Sequence, residues 1–357
     1  MTVKQISDMF IGKGNTINFR SLEGGNINKS FLIDSRSGKK YVLQNVNTTV
    51  FTDPLAVMKN ILLVTDNLRR KNEATLNFVT KCGFGGNECG SFVFCDENGE
   101  YWRCMEYVEN SKCLHASESE VDSFNAGLAY GLFLKNNSDL AANELNITIE
   151  NFHDLPLRIE ALNVAYDGYE NKHADVYAEK VYFLLIDSLE FVKKNLRDDL
   201  PDRITHNDTK IENVLFDEKT GEVIAVADLD TVMPGKITDD FGDCLRSVAA
   251  SAGENEEDLS KIRFVPEKCD RFIDGFARGV KNMLTENEIL ALQYAPAYVT
   301  AELACRFLTD YFKGNVYFKI EYPEHNLMRA ANQTILLTSI LDNQKKVADA
   351  VNRFFYR

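Results

Sequence analysis

Apolar residues recur at two different spacings along this chain, and the change from one to the other divides it. Over the first hundred positions the apolar runs are short. Residues 27–34 follow a Gly24-Gly25 turn, residues 35–40 form a second turn, and Tyr41-Val-Leu-Gln44 is strand-like, so the segment reads as a hairpin. Asp53-Pro54 then opens a helix, because Asp caps the free N–H groups of a first turn and Pro suits its first position. Leu55, Met58, Leu62, Thr65 and Leu68 follow at helical spacing, and Arg69, Arg70 and Lys71 suit the negative end of its dipole. Residues 76–80, 91–95 and 101–108 read as three more strands, the last two joined by a turn at Asp96-Glu-Asn-Gly99.

After Glu109 the helical period takes over. Residues 118–136 carry Val121, Phe124, Leu128 and Leu132 on one face, and residues 176–195 carry Val181, Leu184, Leu185, Leu189 and Val192. Val214-Leu-Phe216 and residues 223–227 form a hairpin around Lys219-Thr-Gly221. Thr285-Glu-Asn-Glu288 is a capping box ahead of a long apolar run. The pattern predicts an α+β chain in two lobes: a small mixed-sheet lobe with one main helix at 1–108, and a larger, mostly helical lobe at 109–357. They should meet near Tyr107 to Glu109.

With 357 residues, 45% hydrophobic and 26% charged, the chain can bury one large or two medium cores. Its net charge is −14 and it has no long Lys/Arg run, which disfavours nucleic acid or an anionic membrane as partner. The first twenty residues lack a basic segment followed by an apolar one, and no apolar run approaches the ~20 residues of a spanning helix. The eight cysteines include no C-x-x-C pair, and Cys82, Cys89, Cys95, Cys104 and Cys113 lack metal-ligand spacing. The expectation is a cytoplasmic protein with reduced thiols, a monomer or weak oligomer, whose partners are small molecules.

The candidate chemistry lies in His206-Asn-Asp208-Thr-Lys-Ile-Glu-Asn213 and Asp228-Leu-Asp230. His-x-Asp-x₄-Asn is the spacing of a kinase catalytic loop, and the later Asp stands where kinases hold their metal. Asp208 is the candidate base for an acceptor hydroxyl. Asn213 and Asp228 are candidate Mg²⁺ ligands, since that ion prefers hard oxygen donors and takes few from protein. Asp230 is either a second metal contact or a supporting partner. His206 in such a loop packs and hydrogen-bonds rather than catalyses. Gly25, Asn28 and Ser30 surround a Gly-rich turn whose N–H groups and side chains can meet phosphate oxygens. Gln44 stands where kinases carry a phosphate-contacting Lys, and a neutral amide cannot neutralise charge.

Asn26-Ile-Asn28, residues 41–44, residues 205–210 with Asn213, residues 228–235, Asp240-Phe-Gly-Asp243, residues 306–311 and residues 322–327 together resemble the aminoglycoside phosphotransferase and choline kinase superfamily of small-molecule kinases. The resemblance is closer still to the branch that phosphorylates N-acetylhexosamines at the anomeric hydroxyl. The resemblance implies a two-lobed protein-kinase-like fold with ATP in the cleft and adenine against the Met105-Glu106-Tyr-Val108 linker. It implies Asp208 as base, Asn213 and Asp228 on Mg²⁺, and Asn26, Arg306 and Tyr317 near the anomeric hydroxyl of N-acetylglucosamine or N-acetylgalactosamine. That branch carries His where this chain has Asn26.

Other readings stand beside this one. The acceptor is a different small alcohol (homoserine, choline, methylthioribose or an aminoglycoside), or the chain is a nucleotide-binding pseudokinase, for which Gln44 is the sole support. Arg306 is alternatively tied to Asp310 across one helical turn, Tyr317, Phe318 and Tyr322 are alternatively core aromatics, and Asp240, Asp243 and Arg246 are alternatively a structural network.

Overall fold

The computed structural model describes every residue except 23–26, 76–77, 80–90, 172, 198 and 357, and for 78–79 the backbone alone. The small lobe opens with two elements that the apolar pattern did not announce. Helix α1 (Val3–Ile11) is closed by a capping box between Thr2 and Gln5, and buries Ile6 and Phe10 one turn apart. Strand β1 (Thr16–Leu22) is an edge strand whose Ile17 and Phe19 stay exposed, so it lacks the alternation that marks a half-buried strand. Then come β2 (Lys29–Ser35), β3 (Lys40–Val46), α2 (Pro54–Arg70), β4 (Phe78–Val79), β5 (Val93–Cys95) and β6 (Tyr101–Glu106).

The sheet order is β1-β2-β3-β6-β4, with β5 also on β6. Every described pairing in it is antiparallel, where a mixed sheet was expected. Asp53 caps α2 by accepting the N–H groups of Leu55 and Ala56, as the Asp-Pro pair predicts. One consequence of register matters for the site. Gln44 on β3 lies directly opposite Arg103 on β6.

The large lobe contains β7 (Ser111–Lys112), α3 (Glu120–Asn136), α4 (Leu155–Asp167), α5 (Val176–Lys194), β8 (Arg203–Thr205), β9 (Val214–Asp217), β10 (Val223–Val226), β11 (Met233–Gly235), α6 (Ile237–Val248), α7 (Pro266–Val280), α8 (Glu286–Leu292), α9 (Ala295–Phe312), α10 (His325–Asp342) and α11 (Gln344–Phe355). The apolar run after the Thr285 box is two helices, because α8 stops at Leu292 and Pro296 lies in the first turn of α9. The apolar faces of α3, α5, α6, α7, α9 and α10 enclose the main core.

Helices α3 and α7 touch backbone to backbone. A Cβ on Gly127 would lie 2.2 Å from the carbonyl oxygen of Phe272, and one on Gly275 would lie 2.0 Å from that of Phe124. This approach fixes the α3 face that carries Tyr130 and Phe133 against the loop following β8. Among the described residues, no helix is long and apolar enough to cross a membrane.

Candidate active site

The loop after β8 is held from below by α6. Asp240 accepts the backbone N–H groups of His206 at 2.9 Å and Asn207 at 2.7 Å. Asp243 accepts the N–H of Thr209 at 2.7 Å, and Arg246 grips its other oxygen at 2.9 and 2.6 Å. Burial pushes the Asp240 carboxyl up to about 6, against the pull of the His206 ring and the two N–H donors. Burial acts the same way on Asp243, but the Arg246 guanidinium outweighs it and leaves that carboxyl below its usual range. These acids are a platform under the loop, as the network reading of Asp240, Asp243 and Arg246 anticipated.

His206 is fully buried and meets Tyr130 and Phe133 edge-on, with centroids 5.6 and 5.7 Å away. Its Nε2 donates to the carbonyl of Ala227 at 2.8 Å, and its Nδ1 accepts the N–H of Asp208 at 3.3 Å. Both nitrogens are thereby committed to holding the loop. Asn207 adopts a left-handed backbone, φ 63°, which turns Asp208 toward the cleft.

Around Asp208 the predicted residues converge. The amide of Asn213 donates to the Asp208 carbonyl at 2.8 Å and to its carboxylate at 3.1 Å. Lys210 sits 3.3 Å from the other carboxylate oxygen, and that charge raises the ammonium pKa. Asp228 follows β10 in a left-handed conformation, φ 56°, on the cleft floor. Its outer edge is open to solvent, yet the surrounding protein, then Asp230 and Asp208, push its carboxyl up to about 6. Among the described residues nothing donates a hydrogen bond to it. Asp230 is different. It is 2% exposed, accepts the Asn28 amide at 2.5 Å and forms an ion pair with Arg103, so both of its oxygens face the small lobe.

Asn28, Ser30, Gln44, Glu106, Val108, Asn213, Asp228 and Asp230 all line one cleft of about 390 Å³ between the lobes. The Glu106 side chain pairs with Lys39 at 3.0 Å. Gly25 and Asn26 lie outside the described residues.

A second cavity, of about 190 Å³, contains Arg306 and Tyr317. It shares Asp208, Lys210 and Thr231 with the first, so the candidate base stands where the two meet. The Arg306 guanidinium lies 5.2 Å from the ring centre of Phe152, 5.5 Å from Phe318 and 5.9 Å from Tyr317. An Arg306–Asp310 pair does not form. Arg306 instead reaches back 3.6 Å to Glu302, because Asp310 is occupied by the backbone N–H groups of Val316, Tyr317 and Phe318 at 2.8 to 2.9 Å. Tyr317 is half-exposed at the rim rather than a core aromatic.

Four residues that hold the site together escaped the sequence reading: Arg103, His153, Glu302 and Asp310. His153 bonds Glu302 at 2.6 Å through Nδ1 and donates from Nε2 to the carbonyl of Asn207 at 3.0 Å. Burial alone would lower its pKa, but Glu302 reverses this and takes it up to about 10. The imidazole thus links the Arg306 helix to the loop after β8. Asp310 had a local signal, an acid just before Gly314-Asn315 at a helix end, whereas the other three are joined only by tertiary structure.

Two lobes around a cleft with this carboxylate at its junction are the architecture of a kinase-like phosphotransferase. The chain belongs to the phosphotransferase enzyme family APH, whose model matches residues 18–279. Solved structures with a similar fold include a microcompartment-associated aminopropanol kinase, with a TM-score of 0.64 and 15% identity over 96% of this chain and 97% of that one. Another is a spectinomycin phosphotransferase in complex with ADP and spectinomycin, with a TM-score of 0.61 and 12% identity over 93% and 94%. A third is an amicoumacin kinase in complex with AMP-PNP, Ca²⁺ and Ami, with a TM-score of 0.59 and 12% identity over 97% and 92%.

Proposed function

We propose that this chain transfers the terminal phosphoryl group of ATP to the anomeric hydroxyl of an N-acetylhexosamine. The larger cleft takes the nucleotide, a reading supported by the ADP and AMP-PNP bound to the two phosphotransferases of like fold. Asp208 lies at the junction with the acceptor cavity. There it orients the acceptor hydroxyl and takes its proton as the oxygen bonds to the terminal phosphorus, the bond from that phosphorus to the β–γ bridging oxygen breaks, and ADP leaves.

The donor set on the cleft floor fits Mg²⁺. Asn213 and Asp228 offer hard oxygens, and Asp228 is a carboxylate with no hydrogen-bond donor among the described residues and two other carboxylates beside it, a balance that a divalent cation restores. When bound, Mg²⁺ would neutralise phosphate charge. Asp230 then acts as a bridge to Arg103 and Asn28 rather than as an open ligand.

The observation that carries the acceptor assignment is the seat of Arg306. Its guanidinium covers the faces of Phe152, Tyr317 and Phe318, which an aromatic cage would offer to a choline or aminoalcohol cation. Lys210, Arg246 and Arg329 also line this cavity, while of its acids Asp208 faces Lys210, Asp243 and Glu254 face Arg246, and Glu302 is tied to His153. Such a wall opposes a polycationic aminoglycoside. It suits a neutral acceptor with oxygens for the guanidinium. The presence of Asp208, Asn213 and Asp228 in one cleft favours an active enzyme over a pseudokinase.

The test is ADP release with MgATP and a panel of acceptors. N-acetylglucosamine or N-acetylgalactosamine should drive release well above choline, ethanolamine, aminopropanol, homoserine, methylthioribose and kanamycin. Preference for an amine-bearing acceptor would overturn the assignment.

A further inference from the structure

Kinases that carry a Lys on the third strand of the small lobe hold it with a Glu from the lobe's helix, and that Lys meets the nucleotide phosphates. Neither stands in that place here, for the lysine of β3, Lys40, is exposed at the strand's start and does not line the cleft. Position 44 on β3 is Gln, and the single acid on α2, Asp66, is on the exposed surface and pairs with Arg69. Asn60, buried on the same helix, is spent on the backbone of Asn146 and Val232. A nucleotide cleft without a small-lobe cation would leave the phosphate charges to Mg²⁺ and to Lys210, which already faces Asp208.

The neighbouring strand supplies one. Arg103 on β6 is the direct cross-strand partner of Gln44, and both line the cleft. The Gln44 carbonyl oxygen accepts Nε of Arg103 at 2.9 Å and Nη2 at 2.8 Å, while its amide nitrogen donates to Ser30 at 3.1 Å. The other arm of the guanidinium pairs with Asp230, beside Asp228. We propose that Arg103, aimed by Gln44, is the phosphate-binding cation of this cleft in place of a lysine at position 44.

Three features support this. Arg103 is 3% exposed, and the Asp230 carboxylate and Gln44 carbonyl that offset its burial also fix the guanidinium at the cleft wall. Its ion pair is made with the Asp228-Leu-Asp230 segment, so the guanidinium already sits at the edge of the metal-side pocket. Gln44 also acquires a reason to be neutral: a Lys at that position would stand against the Arg103 guanidinium, and like charges directly opposite in a sheet are unfavourable. The Gln at 44 and the Arg at 103 are one arrangement rather than two independent departures.

The inference rests on the reading of the cleft as a nucleotide site, and the two are separable by experiment. Calorimetric binding of ATP, ADP and adenosine to the unaltered protein tests the cleft first. Failure of the unaltered protein to bind ATP sinks that reading, and this inference with it. If ATP binds, the same titrations on Arg103→Met, Arg103→Lys and Gln44→Ala test Arg103. Charge-assisted hydrogen bonds to phosphate lead to an expected weakening of ATP and ADP on the order of 10-fold or more in Arg103→Met. Adenosine affinity should change by less than about twofold, Arg103→Lys should recover part of the loss, and Gln44→Ala should give an intermediate one. Circular dichroism and a melting curve confirm that each variant is folded. Should Arg103→Met not fold, the lysine and alanine variants decide. Equal weakening of ATP and adenosine, or unchanged ATP binding in the folded variants, would overturn the proposal.

Discussion

The Asn213 amide donates to both the carbonyl and the carboxylate of Asp208, so the candidate base and the candidate metal ligand are one hydrogen-bonded unit. That coupling leads to a two-part prediction. Asp208→Asn should retain ATP binding and lose turnover by about 100-fold or more, the contribution expected of a general base. Asn213→Ala should both slow turnover and raise the Mg²⁺ concentration needed for half-maximal rate. Full activity in Asp208→Asn would remove it from the base role.

Arg306 touches three rings and Glu302 but lines only the smaller cavity. Arg306→Ala should raise the acceptor KM by roughly tenfold or more, as loss of a charged hydrogen-bond donor does, and leave ATP affinity within about twofold. Arg306→Lys should recover little, because a point charge cannot stack on the rings. An unchanged acceptor KM in steady-state kinetics would count against the cavity as the acceptor site.

The His153–Glu302 pair sets a pH signature. The imidazole pKa rises on folding from its ordinary 6.5 to about 10. Its stabilisation is therefore full below about 6.5 and is lost as pH climbs from there through 10. The unaltered protein should lose melting temperature between pH 7 and 9.5 by several degrees more than His153→Gln does. Parallel melting curves across that range would show that the imidazole is not charged.

Packing offers a check far from the chemistry. A Cβ on Gly131 would lie 2.7 Å from the Phe276 carbonyl oxygen and 3.0 Å from the Gly279 Cα. Gly131→Ala should force α3 from α7 and cost about 1–3 kcal/mol, read as a fall in denaturation midpoint. Because α3 carries Tyr130, whose hydroxyl donates to the Lys210 carbonyl at 2.9 Å, turnover should fall as well.

Local chemistry was readable ahead of the fold. The Asp-Pro start of α2, the 214–226 hairpin and the Asp208, Asn213 and Asp228 constellation depend on neighbours within a few residues or on one fixed spacing. Helix α1 was missed although its Thr2–Gln5 box was legible, because nine residues with two buried apolar side chains give little periodicity. Strand β1 was missed because its apolar residues face solvent at a sheet edge. Arg103, His153 and Glu302 were illegible for another reason. Arg103 meets Asp230 across 127 positions and His153 meets Glu302 across 149, and no local pattern encodes such a pairing. The Arg306–Asp310 alternative shows the converse error, since helical spacing permitted a pair that the loop at 316–318 had already claimed.

The central claim is phosphorylation at the anomeric oxygen, and the product's NMR spectrum tests it most directly. After reaction of N-acetylglucosamine or N-acetylgalactosamine with MgATP, the anomeric proton should show coupling to phosphorus, and mild acid should release inorganic phosphate. Phosphorus coupled instead to the C6 protons, in a product that survives mild acid, would contradict the account.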